Sequence, residues 1–257
     1  MAHGPREPEG GSSGPGAVYP RGPHTNMLTA PQNPAGRLVL VRDRIATAAR
    51  EACRDPAAVT LIGVAKSQSR GRILAALDAG LADLGENYVQ EGREHAALLV
   101  GRAVRRHFIG ALQSNKTRPV AESFDWVHTV DRVKIAERLS AQRPAALPPL
   151  AVCIQVRLGV EETKSGVTPA ELPALAAGVA ALPRLALRGL MALPPEETDV
   201  ARQRHWFREL RRLLEHLNRA GHRLDALSMG MSGDFEAAIA EGATHVRIGT
   251  ALFGERA

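Results

Sequence analysis

Lysine is scarce in this sequence. Of its 33 lysine and arginine residues, four are lysines: Lys66, Lys116, Lys134 and Lys164. A chain that uses arginine nearly everywhere is expected to keep lysine mainly where arginine cannot serve. A Schiff base is one such place, because an amine can lose its proton and attack a carbonyl carbon whereas a guanidinium cannot.

Cysteine and long apolar runs are also lacking. Cys53 and Cys153 are the only cysteines, which excludes a disulfide framework and suits a reducing cytoplasm. No apolar run reaches the roughly 20 residues that a membrane-spanning helix needs. With 257 residues, of which 44% are hydrophobic, the chain is expected to be a soluble globular protein of one large domain or two small ones.

Aromatic residues make up 4% of the chain, whereas its formal net charge is +6. The charge raises nucleic acid as a partner, but Trp126 and Trp206 stand alone rather than in a stacking array. The arginines are scattered along helical segments beside glutamates. We therefore expect a solvated basic surface with weak polyanion binding, no specific nucleic-acid site and no membrane association.

Residues 1–35 differ from the rest of the chain. They are rich in Gly, Pro and Ser and have no periodic apolar pattern, which predicts a disordered tail. The stretch has no apolar core of the kind found in signal peptides. Met27 lies close to where order is expected to begin, so either Met1 or Met27 could be the true start.

Residues 36–257 alternate between apolar runs and helical patterns. Leu38, Val41, Ile45, Ala49 and Cys53 follow helical spacing before Asp55-Pro56. Eight strand–helix units follow, which predicts an α/β protein with a TIM-type (β/α)8 barrel preceded by an extra helix; an open doubly wound sheet fits less well. The predicted strands are 59–65, 82–84, 107–110, 126–130, 151–156, 185–193, 224–229 and 245–249. The predicted helices between them are 70–79, 88–99, 114–122, 132–142, 169–181, 199–219 and 233–241.

Polar residues follow the predicted strands, at the end where barrel enzymes carry their sites. Lys66 ends strand one, although a lysine there could also lie in solvent. Asn87 and Tyr88 follow strand two, and Asn87 could instead cap a helix. His107 stands around the end of strand three and is expected to be a hydrogen-bonded core histidine rather than a ligand, whereas His128 is expected beyond strand four.

The segments that follow the last two predicted strands are expected to form a phosphate-binding site, called the phosphate cradle below. Ser232 precedes a predicted helix whose first turn holds Asp234, a pattern that ordinary N-capping would also explain. Gly249 and Thr250 open a second short helix, where a glycine, a hydroxyl and exposed N–H groups suit phosphate. Strands one and eight pair in a closed barrel, so Lys66 would lie beside this cradle. A phosphorylated aldehyde is implied, and pyridoxal phosphate fits.

Several motifs in one order resemble the pyridoxal phosphate homeostasis proteins, which are single-domain barrels like the N-terminal domain of alanine racemase. The motifs are VAKSQS, GENYVQE, HFIGALQSNK, HTVDRVKIAERL, EETKSGV, LRGLMALP and LSMGMSGDFEAAIAEGATHVRIGTALFGER. The resemblance covers roughly residues 37–256. It implies that Lys66 carries the cofactor as an internal aldimine and that Ser232, Gly249 and Thr250 hold its phosphate. Arg247 would lie near the pyridine nitrogen, and Asn87 and Met229 would line the pocket.

Three positions depart from the pattern of the family. Ala65 stands where a serine is usual, Ser69 where a proline is frequent, and Arg157 where asparagine is common. These changes alter the polarity expected of the pocket and leave attachment to Lys66 possible.

The resemblance implies a non-catalytic protein in the cytoplasm that controls the level of free cofactor as carrier, buffer or regulator. Apo-enzymes would receive the cofactor, and a monomer is favoured over a dimer. The alternative is an amino-acid racemase that uses Lys66 and Tyr88. Racemisation needs an acid/base group on each face of the carbanion, and in alanine racemases the second is a tyrosine from another domain. Tyr19, in the predicted tail, and Tyr88 are the only tyrosines here. No catalytic residue and no metal site are assigned.

Overall fold

The computed structural model of the protein describes residues 33–159 and 165–255. Eight parallel strands in this part of the chain form one closed barrel in chain order. β1 pairs with β8, with Leu61 opposite Val246 and Gly63 opposite Ile248. The predicted barrel is therefore confirmed. The strands are β1 Thr60–Val64, β2 Asp83–Glu86, β3 Arg105–Phe108, β4 Trp126–Val130, β5 Leu150–Val156, β6 Leu185–Ala192, β7 Ala226–Ser228 and β8 His245–Ile248.

Helices surround this barrel. Single turns of 3₁₀ helix lie at Pro56–Ala58, Ala96–Leu99 and Ser114–Lys116. None of the helices in the described ranges is long and apolar enough to cross a membrane. The α-helices are α1 Pro34–Glu51, α2 Arg70–Asp78, α3 Val89–His95, α4 Thr117–Ser123, α5 Val133–Gln142, α6 Leu172–Ala180, α7 Val200–Arg219, α8 Phe235–Ala240 and α9 Thr250–Phe253.

Helix α1 is the predicted extra helix, and it packs against α2, α8 and α9. It begins at Pro34, where the Asn33 Oδ1 accepts the Gly36 N–H at 2.8 Å. Its Leu38, Val41 and Ile45 are buried, and each such side chain contributes about 1.5–3 kcal/mol. Because α2 follows β1 and α9 follows β8, α1 covers the seam where the barrel closes.

Some predicted boundaries were wrong. Cys53 is exposed, has a φ of 54° and lies beyond the end of α1, so it does not belong to the buried stripe of that helix. The segment 88–99 changes from α-helix to 3₁₀ helix at Ala96, and 114–122 begins as 3₁₀ helix. Most of the predicted tail, with both candidate start residues, lies outside the described residues, as does Lys164.

Candidate functional site

Lys66 lies two residues beyond the end of β1, at the mouth formed by the carboxyl ends of the strands. The Ala65 N–H donates to the Gly85 carbonyl at 2.9 Å, so pairing with β2 continues up to the residue before the lysine. The Lys66 side chain is half-buried, and its Nζ lies 5.4 Å from the centroid of the Tyr88 ring, within cation–π range. The prediction that Lys66 lies at the mouth of the barrel therefore agrees with the structure.

Ser232 does not cap α8, contrary to the alternative that its sequence left open. Asp234 is the residue that precedes α8, rather than a residue of its first turn, and its Oδ1 accepts the Met231 N–H at 2.6 Å. The Ser232 Oγ instead accepts the N–H of Ala251 at 3.3 Å. Because Ala251 belongs to α9, this bond joins the loop after β7 to the segment after β8.

Gly249 and Thr250 lie beside the lysine across the seam. Gly249 immediately precedes α9, and Thr250 is exposed. A Cβ built on Gly249 would lie 3.7 Å from the Val64 Cβ, so Gly249 is next to the last residue of β1. Lys66 is two residues further along the chain. The structure thus brings Lys66, Ser232, Gly249 and Thr250 to one edge of the mouth.

Asn87 carries a buried oxygen without a partner. The residue that precedes α3 is Tyr88, so Asn87 is not the cap of that helix. Its Oδ1 is buried and accepts no hydrogen bond within the described residues. An unsatisfied buried acceptor costs about 1–3 kcal/mol. A bound molecule that donates a hydrogen bond here would remove this cost.

A cavity of about 240 Å³ opens at the mouth beside Asn87, and a second of about 530 Å³ adjoins it. Gly110 lines both, and a Cβ there would lie 1.9 Å from the Asn87 carbonyl oxygen. Only glycine allows that approach, so Gly110 fixes the wall that the cavities share. Met229, predicted to line the pocket, is fully buried in the core. The polar residues that line the smaller cavity are Asn87, Thr129, Gln155, Arg157 and Ser165.

Arg247 lies inside the barrel rather than on its rim, with 4% of its surface exposed. Its Nη1 donates to the Ser228 Oγ at 2.9 Å, and its Nη2 donates to the Ala192 carbonyl at 3.0 Å. Burial lowers the pKa of the guanidinium to about 10, so it remains protonated at neutral pH. The two bonds fix the plane of the guanidinium below the mouth.

His128 does not lie at the mouth, and that prediction was wrong. It is the third residue of β4, it is fully buried, and its Nδ1 lies 2.8 Å from the Ser228 Oγ on β7. The two strands are not neighbours, so this bond crosses the interior of the barrel. His107 is also buried, which confirms the reading of it as a core histidine. Asp83 and Ser228 were not foreseen, because no local pattern marks an inward-facing residue of so short a strand.

Other polar residues near the mouth have structural roles. The Glu86 Oε1 lies 2.9 Å from the His95 Nδ1, and this hydrogen bond raises the pKa of the imidazole. Glu86 thus joins β2 to α3. Across residues 33–159 and 165–255, no group of three or more His, Cys, Asp or Glu side chains could hold a metal ion.

Comparisons with known proteins agree with this geometry. Residues 41–257 match the model of the alanine racemase N-terminal domain family. A pyridoxal phosphate homeostasis protein of Pseudomonas aeruginosa is 55% identical over 222 residues, covering 86% of this chain and 95% of the relative. The protein of the same name from Escherichia coli K12 is 51% identical over 225 residues, covering 86% and 96%. The structure of PipY from Synechococcus elongatus, solved with PLP bound, has a TM-score of 0.77 and 36% identity, covering 86% of this chain and 100% of PipY.

Proposed function

Because this chain belongs to the pyridoxal phosphate homeostasis protein family, we propose that it binds pyridoxal phosphate and helps to control the level of the free cofactor. It acts as carrier, buffer or regulator, with Lys66 as the covalent anchor. The observation that carries this proposal is the position of Lys66 beside Ser232, Gly249 and Thr250 across the β1–β8 seam. An amine that can condense with an aldehyde therefore lies at the same edge of the mouth as hydrogen-bond donors that can bind a phosphate.

The residues present fit the cofactor. The hydroxyls of Ser232 and Thr250 supply donors for a dianion, and hydrogen bonds to ionised acceptors contribute about 1.5–3 kcal/mol each. The Asn87 Oδ1, which is unpaired among the described residues, supplies an acceptor just after β2, the strand next to β1. When bound, pyridoxal phosphate supplies an aldehyde that condenses with a lysine amine, with loss of one water.

The surroundings of Lys66 favour binding of the cofactor over its use in catalysis. A racemase needs two acid/base groups that face the substrate from opposite sides. Tyr88 is the single tyrosine in the described part of the chain, and its ring packs against the Lys66 Nζ instead of facing it across a gap. Arg247, which the family resemblance assigns to the ring nitrogen, is a permanently charged donor there and weakens the electron sink that a carbanion needs.

A cytoplasmic location is part of the proposal. Cys53 is exposed and Cys153 is buried, and both are free thiols. The pKa of the Cys153 thiol is raised to about 12 by burial, which makes it inert. Two unpaired thiols at such different depths are typical of a protein that works in a reducing compartment.

Reduction with borohydride tests the function directly. The protein is incubated with pyridoxal phosphate, its visible absorbance is recorded, and borohydride is added before digestion and peptide mapping. We expect an absorbance band that disappears on reduction and a stable label on Lys66. A label on Lys116 or Lys134 with Lys66 unmodified would contradict the proposal, as would the absence of any label.

A further inference from the structure

A chain of buried hydrogen bonds runs through the barrel from β8 to β2. The Arg247 Nη1 is 2.9 Å from the Ser228 Oγ, which is 2.8 Å from the His128 Nδ1. The His128 Nε2 is 3.0 Å from the His107 Nδ1, and the His107 Nε2 is 2.9 Å from the Asp83 Oδ1. Each of the five residues is at most 4% exposed. The hydrogen-bond chain is therefore almost fully shielded from bulk water.

The two ends of this chain determine where every proton lies. A guanidinium can only donate, so the Ser228 Oγ accepts from Arg247, which leaves the hydroxyl proton free for the His128 Nδ1. At the other end, burial alone would raise the pKa of Asp83, but hydrogen bonds from His107 and Arg105 outweigh it and hold that pKa below its ordinary value. The ionised carboxylate accepts from the His107 Nε2–H.

Burial lowers the pKa of both imidazoles, which favours their neutral states. A neutral His107 that donates through Nε2 to Asp83 accepts at Nδ1 from the His128 Nε2–H. A neutral His128 that donates through Nε2 then accepts at Nδ1 from the Ser228 hydroxyl. The hydrogen-bond chain thus has a single polarity, with a cation at one end and an anion at the other, and its hydroxyl and all four ring nitrogens have partners.

The hydrogen-bond chain restrains the guanidinium of Arg247. Ser228 holds its Nη1 and the Ala192 carbonyl holds its Nη2, whereas its Nε makes no hydrogen bond with the described residues. Arg247 lies two residues before Gly249, and therefore directly below the phosphate cradle. A guanidinium held by two of its three nitrogens has lost its rotational freedom before any ligand arrives.

We propose that Ser228 and His128 are positioning residues that hold Arg247 in the orientation in which it meets the ring nitrogen of the bound ligand. The proposal rests on the proposed function, because it assumes that the ligand is a pyridine ring carrying a phosphate. Asp83, on β2 at the other end of the hydrogen-bond chain, fixes the direction of that chain and thereby the proton that Ser228 gives to His128.

The ligand-free protein tests the proton order without any cofactor. In a ¹⁵N-histidine-labelled sample, we expect His128 and His107 to give the NMR shifts of neutral rings with the proton on Nε2. Ser228→Ala removes the donor to the His128 Nδ1 and should move that nitrogen resonance. A proton on Nδ1 of His128, or an unchanged resonance in Ser228→Ala, would overturn the proposal.

A pair of ligands tests the effect on Arg247. The probes are pyridoxal phosphate and its carbocyclic analogue, in which a C–H group replaces the ring nitrogen. Ser228→Ala should weaken apparent binding of pyridoxal phosphate about tenfold and leave the analogue within twofold, because only the first ligand uses the ring nitrogen. Ser140→Ala is the control. It removes another buried hydroxyl, which donates to the Pro183 carbonyl and takes no part in the hydrogen-bond chain, so it should change neither affinity.

The outcomes separate this proposal from the one on which it rests. An equal loss for both ligands, or no loss for either, with Lys66 still labelled by borohydride, would overturn the positioning role alone. Failure of the parent protein to bind pyridoxal phosphate at all would overturn both, whatever the NMR spectra show.

Discussion

The Nζ of Lys66 lies 5.4 Å from the centre of the Tyr88 ring, so the amine and the phenol share one side of the mouth. This contact needs the aromatic face and not the hydroxyl. A tyrosine that only supports the lysine can therefore be replaced by phenylalanine, whereas a tyrosine that moves protons cannot.

Proton exchange distinguishes the two roles of Tyr88. A racemase exchanges the α-proton of its substrate with solvent, so deuterium from heavy water enters alanine even when net turnover is slow. With the loaded protein, we expect no incorporation into alanine, or into a mixed amino-acid pool, above that caused by free pyridoxal phosphate, by mass spectrometry. Incorporation well above that background, abolished in Tyr88→Phe while Lys66 is still labelled by borohydride, would establish catalysis.

Replacing Lys66 tests the anchor. Lys66→Ala and Lys66→Arg should both lose the visible absorbance of the loaded protein, because arginine keeps the charge but cannot condense with an aldehyde. Lys134→Arg, on α5, is the matched control and should keep the band. Retention of the band in Lys66→Arg would show that the anchor lies elsewhere.

The phosphate cradle is tested by a double substitution. Ser232→Ala with Thr250→Ala should weaken binding of pyridoxal phosphate at least tenfold, since each hydroxyl gives a hydrogen bond to an ionised acceptor. Binding of pyridoxal, which has no phosphate, should change less. Ser123→Ala, at the end of α4, is the control. Titrations that show an equal loss for the two ligands would place the cradle at other residues.

Acidification should destabilise the barrel through its buried histidines. Burial lowers the pKa of His245 to about 3, against about 6.5 in an unfolded chain. Between these values the unfolded state binds more protons, so the stabilisation is complete above pH 6.5 and is lost as the pH falls. From pH 7 to pH 5, one such group lowers the free energy of unfolding by about 2 kcal/mol. Urea denaturation at pH 7 and at pH 5 should show that the free energy of unfolding falls less in His245→Asn than in the parent protein, by about that amount. Equal falls in the two proteins would contradict the assignment.

The amino-terminal segment should be dispensable. Deletion of residues 2–26 is expected to leave the melting temperature and the affinity for pyridoxal phosphate unchanged, because a stretch rich in Gly, Pro and Ser buries little apolar surface. Thermal denaturation of the two forms checks this. A melting temperature several degrees lower after deletion would show that the segment packs on the barrel.

The barrel could be predicted from the sequence because its units are periodic. The pattern for α7 predicted 199–219, and the helix begins at Val200 because the Asp199 carboxylate accepts the N–H of Arg202 at 2.8 Å. β4 was predicted at its observed bounds, 126–130. In each case the information lies within about 20 consecutive residues.

The interior of the barrel could not be predicted in the same way. Whether His128 meets solvent or Ser228 depends on how eight strands close and how far each is offset from the next. Ser232 was ambiguous for a similar reason, since its true partner, Ala251, is on another unit. Local patterns identify such residues as polar, but only the closed sheet determines which of them meet.

The pairing of β1 with β8 also bears on the timing of assembly. Lys66 and Thr250 lie on either side of the β1–β8 seam but are far apart in the sequence. Synthesis proceeds from the amino terminus, so the lysine leaves the ribosome long before Thr250, and contacts so distant in sequence form late. A nascent chain that ends before β8 therefore has the proposed anchor without the proposed phosphate site, so loading with the cofactor would report that β8 has been made.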